Sequence, residues 1–174
     1  MKIASVSDPI QKDMDGTPFP LVLQPQSSEN VTLTVFQKWI SENRAALKEQ
    51  LKDHGAILFR NFPIQNPQDF EALIEAGAFE AMPYVGGAAP RNKVTSKRVL
   101  TSNNSPSSEP IPFHHEMAQV PNPPAYIFFY CDIPSQQGGE TAILFSPRIY
   151  QRFRDIDVDF AKHVETHGVR YIRI

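Results

Sequence analysis

The sequence holds a single cysteine, Cys131, so no internal disulfide can form, and a reducing compartment suits it. No run approaches the ~18 apolar residues of a membrane span. The start, Met1 to Pro9, lacks the apolar stretch of a secretory signal, so a cytoplasmic location is the expectation. Charge bias is also small. Against 17 basic side chains stand 19 acidic ones, a formal net charge of −2, which gives no electrostatic reason to expect nucleic acid or an anionic membrane. Glycine is scarce at 8 residues while proline is abundant at 16, and long uninterrupted helices therefore cannot make up most of the chain. What is present is a 41% hydrophobic share over 174 residues. That suffices for one core and is short for two domains.

Residues 1–19 are polar and read as a flexible lead-in. Pro20–Leu23 is a short apolar run that suits a first strand. From Thr32 to Asp53 the pattern turns helical: Phe36, Ile40, Leu47 and Leu51 fall on one stripe and the charged residues off it. Gly55 stands where a C-terminal cap glycine belongs, and Ala56–Phe59 follows as a buried strand. Asn66-Pro67 is a second helix start, with Asn as N-cap, Pro in the first turn, and Gly77 as the stop. Met82 to Pro112 shows little periodicity, the pattern of a functional loop. After it the expected strands are Pro112–Met117, Ala125–Cys131, Thr141–Phe145 and Val169–Ile174, with one helix from Pro147 to Thr166 before the last.

Two short stretches can carry chemistry. In His114-His115-Glu116, strand alternation would place His114 and Glu116 on one face, ~6.6 Å apart, with His115 on the other. An imidazole and a carboxylate so arranged supply two of the three protein ligands of the two-His-one-carboxylate iron site. Taken alone, the triplet also fits an ordinary surface strand. Gly138-Gly139-Glu140-Thr141 permits positive φ in a tight turn, and a plain hairpin connection explains it as well.

The order and spacing of these elements resemble the taurine dioxygenase family, and within it the clavaminate synthase-like branch of Fe(II)- and 2-oxoglutarate-dependent oxygenases. Tyr84–Arg91, Phe113–Gln119, Tyr126–Cys131 and the Gly138–Thr141 turn, 22 residues after Glu116, carry the likeness. Gly55–Phe62 resembles the family's early strand. The resemblance implies an α+β fold built on a double-stranded β-helix (jelly-roll) with flanking helices. Residues 20–174 would be the N-terminal portion of that single domain. It implies that His114 and Glu116 ligate Fe(II), and that Thr141 hydrogen-bonds a carboxylate of the cosubstrate 2-oxoglutarate. The reaction implied is hydroxylation of a small-molecule or amino-acid-like substrate, because a carboxylate stands at the acid position where the family's halogenases have none.

The family's second histidine ligand and its 2-oxoglutarate-binding arginine follow a long insertion, and no matching pair is found before Ile174. The expectation is that this polypeptide alone turns over little substrate. His163 and His167 read as residues near a helix C-terminus, where the dipole favours them. Arg91 reads as an exposed loop arginine, Asn103 and Asn104 as turn or pocket-lining residues, and His54 as a last-turn residue. Trp39 and the Phe128-Phe129 pair read as core, and Cys131 as a buried inert thiol. Two alternatives stay open: a truncated non-catalytic remnant or binding module, and a cupin-like hydrolase or isomerase using the same two ligands with another metal. The substrate and the oligomeric state are not legible.

Overall fold

The computed structural model describes residues 1–172 apart from 86, 88, 89, 103–105 and 107. The fold is α+β with small sheets. Its core unit is strand–helix–strand: β4 (Leu21–Pro25), α1 (Leu33–His54) and β5 (Ile57–Phe59). β4 and β5 pair in parallel, Leu21 opposite Ile57 and Leu23 opposite Phe59, as the intervening helix requires. The Gly55 and Asn66 caps operate as expected, and the structure adds a third at Thr32. Thr32 Oγ1 accepts from the Val35 amide at 3.3 Å to start α1, and Gly55 ends it with φ +67°. Gly55 is needed twice over, because a Cβ there would stand 2.7 Å from the Phe145 ring. In α2 (Pro67–Ala76) Asn66 Oδ1 accepts from the Asp69 amide at 2.8 Å, and Asp69 Oδ2 accepts from the Gln65 amide at 3.0 Å.

The apolar stripe of α1 closes the core. Phe36, Ile40 and Leu47 are buried with Leu21, Leu23 and Leu73, and Trp39, Ile57, Phe59 and Phe62 pack around them. Phe36 stacks on Phe62 at 4.0 Å between ring centroids. Each such side chain stabilises by about 1.5–3 kcal/mol on burial, enough to fix β4, α1, β5 and α2 as one block.

Residues 1–19 are more than a lead-in. β1 (Ile3–Ser5) pairs antiparallel with β4, Ile3 opposite Pro25, giving the sheet order β1-β4-β5. β2 (Lys12–Met14) and β3 (Thr17–Phe19) form a hairpin about Asp15-Gly16, both at positive φ (59° and 89°). Asp-Gly is the usual sequence signal for such a two-residue turn, and reading the segment as an arm overlooks it.

The larger correction concerns the second half. The segments expected as strands at 112–117, 125–131 and 141–145 form no ladder among the described residues, nor does 169–172; residues 173 and 174 lie outside them. The described residues form no closed jelly-roll. Strand propensity is expressed only where another strand accepts the backbone hydrogen bonds, and among the described residues none pairs with these segments. Phe128 and Phe129 are accordingly exposed, at 40% and 56%, and Cys131 is exposed as well. The single helix expected over Pro147–Thr166 is two, α3 (Ser146–Ile156) and α4 (Val158–His167). Asp157 leaves helical geometry at φ −150° and caps α4 by accepting from the Phe160 amide at 2.9 Å.

Candidate metal-binding site

The segment leading to the site is shaped by α2. Glu71, buried on that helix, accepts from the Thr95 hydroxyl and, at 2.9 Å, from the Arg98 amide. The Thr95 hydroxyl bond is the first cause holding the Glu71 carboxyl below the usual carboxylate range, while burial opposes it. Around that anchor, residues 92–101 fold back on themselves: Lys93 bridges Leu100, and the Thr101 amide donates to the Asn92 carbonyl at 2.9 Å. The middle of the expected functional loop is thus an ordered turn docked on a helix. Arg91 leaves its open end.

Arg91 is not an exposed loop arginine. Its Nη2 donates to Glu116 Oε1 at 2.9 Å, and the two side chains are only 15% and 18% exposed. The guanidinium lies over the Tyr84 ring, 4.7 Å from its centroid. A Cβ at Gly87 would collide with that ring, a concrete reason for glycine in this loop. Twenty-five residues separate Arg91 from Glu116, so no local pattern could have announced the pair.

His114, His115 and Glu116 do not lie on a strand. A turn begins at Glu116, and buried Met117 sits at φ +53°. Even so, His114 Nε2 approaches Glu116 Oε2 to 3.9 Å, while His115 Nε2 lies 2.9 Å from Ser146 Oγ at the start of α3. His114 Nδ1 is 2.8 Å from the Pro112 carbonyl. A carbonyl only accepts, so Nδ1 carries the proton and Nε2 of the neutral ring keeps its lone pair. The donor set left open is one imidazole nitrogen and one carboxylate oxygen. Two bonds of about 2.1 Å at a right angle need donors about 3 Å apart. The pair stands somewhat wider, and the 58% exposed His114 side chain has room to close the gap.

The other candidates make no hydrogen bond or ion pair with His114 or Glu116 among the described residues. Gly138 and Gly139 have positive φ, 69° and 79°, but their turn feeds no strand. Thr141 is exposed and makes no side-chain hydrogen bond among the described residues. His163 and His167 stack on each other along α4 at 4.2 Å. Among the described residues no three His, Cys, Asp or Glu side chains gather as a metal-holding group. A concavity of about 530 Å³ lies between residues 118–121 and 167–171, lined by neither His114 nor Glu116. Asn103 and Asn104 lie outside the described residues. His54 ends α1 as expected, its Nδ1 2.7 Å from the Pro18 carbonyl. No helix among the described residues is long and apolar enough to cross a membrane.

Comparison with known proteins adds a second line. The family model for "Taurine catabolism dioxygenase TauD, TfdA family" matches residues 16–173. The clavaminate synthase-like protein At3g21360 of Arabidopsis thaliana is 43% identical over 170 residues, 95% of this chain and 51% of that protein. The dapdiamide synthesis protein DdaC of Enterobacter agglomerans is 33% identical over 127 residues, 73% of this chain and 37% of that protein. The chain thus spans about half the length of the first relative and less of the second.

Proposed function

The chain belongs to the TauD/TfdA family, and from that premise we propose that it carries part of the iron-binding site of a 2-oxoglutarate-dependent dioxygenase acting on a small-molecule or amino-acid-like substrate. The observation that carries this reading is the convergence of His114 Nε2 and Glu116 Oε2 at 3.9 Å, with His115 turned to Ser146. In this reading His114 and Glu116 hold Fe(II). The Pro112 carbonyl fixes the His114 tautomer so that Nε2 is the free donor. Thr141 offers its exposed hydroxyl to a carboxylate of 2-oxoglutarate. Iron and 2-oxoglutarate, when bound, would supply the hydroxylation of an unactivated C–H bond with dioxygen as the oxidant, one oxygen atom entering the product and the other the succinate released with carbon dioxide. The family's domain is read as a double-stranded β-helix, supported by the aromatic and β-branched runs at 125–131 and 141–145, which have strand composition and no ladder partner among the described residues.

The test is an anaerobic titration of the chain with Fe(II), using Co(II) as a spectroscopic stand-in. His114→Ala should abolish binding and His115→Ala should retain most of it. Equal binding by wild type and His114→Ala rejects the site. Addition of 2-oxoglutarate to the metal-loaded chain separates the oxygenase from a hydrolase or isomerase, which has no use for that cosubstrate.

A further inference from the structure

We infer that Arg91 is the positioning residue for Glu116: it occupies one carboxylate oxygen and so leaves a single oxygen of Glu116 to face the metal. The inference rests on the iron-site reading above. Arg91 Nη2 takes Oε1 at 2.9 Å, and it is the other oxygen, Oε2, that faces His114 Nε2. An unconstrained carboxylate can rotate about its last bond and grip a cation with both oxygens. With Oε1 committed to a guanidinium, the acid offers one ligand atom, and a coordination position is kept for other groups.

The arginine is itself held from two sides. Tyr84 lies beneath the guanidinium plane, and the 92–101 turn that follows Arg91 is tied to α2 through Glu71. Orientation thus passes from a helix in the main core to a carboxylate in a segment with little core of its own. Coulomb's law gives the arrangement a cost. A cation beside the carboxylate weakens its pull on a metal ion, so a pairing that served only the metal's attraction would not include it. Fixing the ligand's geometry is the gain that offsets this cost. Outer partners of metal ligands typically change metal affinity 10- to 100-fold when removed.

The experiment compares Co(II) binding and the Co(II) visible spectrum for wild type, Arg91→Met, Arg91→Lys and His114→Ala in the 174-residue chain. Far-UV circular dichroism checks the fold of each, and Arg91→Gln replaces the Met variant if that one is unfolded. The expected result is roughly 10- to 100-fold weaker Co(II) binding by Arg91→Met. The spectrum of its saturated form should change, reporting a carboxylate that has altered its mode of ligation, and Arg91→Lys should restore part of the loss. A purely structural role would leave the spectrum of the saturated, folded variant unmoved. Co(II) affinity within about twofold of wild type, or an unchanged saturated spectrum, overturns the inference while His114→Ala still loses the metal. If His114→Ala binds Co(II) like wild type, the iron-site reading fails and this inference falls with it.

Discussion

His114, His115 and Glu116 differ in fate because of single contacts. The Pro112 carbonyl holds one imidazole and the Ser146 hydroxyl holds the next. That contrast underlies the predicted loss of metal in His114→Ala and its retention in His115→Ala. Thr141 is the most exposed to test. A hydrogen bond to a charged group contributes about 1.5–3 kcal/mol, so Thr141→Val in a complete enzyme should weaken 2-oxoglutarate about 10- to 150-fold, with iron binding little changed. The Thr141 side chain makes no hydrogen bond among the described residues, and Val is an equal or better strand former. A dissociation constant within about twofold of wild type would therefore leave Thr141 as a β-branched residue with no role toward the cosubstrate.

At the scale of elements, the junction between α2 and the 92–101 turn is pH-sensitive through Glu71. Glu71 is held below its ordinary titration range by the Thr95 hydroxyl and then the Arg98 amide, against burial. A carboxyl whose folded pKa is depressed adds stability above its unfolded pKa, about 4.3 for Glu, and that stability is lost as pH falls through the folded value. Glu71→Gln should accordingly melt lower than wild type near neutral pH. The gap between the two melting curves should narrow once the pH drops below about 4. A gap that stays constant from neutral to acid pH would mean the carboxylate charge is not what fastens the turn. α3 and α4 belong to the same scale: Asp157 divides them by capping α4, and an aspartate with a second acid, Asp159, in the turn after it was the available signal.

Across the whole molecule the two halves are built differently. The first has a closed core about Phe36. The second is fastened by a few ring contacts, with Phe145 against Phe19, Tyr130 on Phe70 and Phe128 against Phe79, and by the Arg148–Asp15 ion pair. Most of its large apolar side chains stay exposed, Ile127 at 50% and Ile172 at 76% among them, with Met117 an exception at 6%. A site with two donors and no third among the described residues holds metal weakly. The 174-residue chain should therefore form no measurable succinate from 2-oxoglutarate under Fe(II), ascorbate and dioxygen. Robust succinate formation would bring His163 or His167 back as a ligand.

What the sequence determined alone was local. The Asn66 cap, the Gly55 stop and the apolar stripe of α1 act within a turn or two of chain, and the structure repeats each of them. The family was legible for a related reason, since its motifs are short and ordered along the chain. Pairing across distance was decided only by tertiary structure. Whether 125–131 becomes a strand depends on a neighbour's backbone, which its own residues do not specify. Whether Arg91 meets solvent or Glu116 depends on Glu71 drawing the 92–101 turn onto α2. A hydrogen bond or ion pair between residues 25 apart leaves no period and no motif, because it is made by the path of the chain between them.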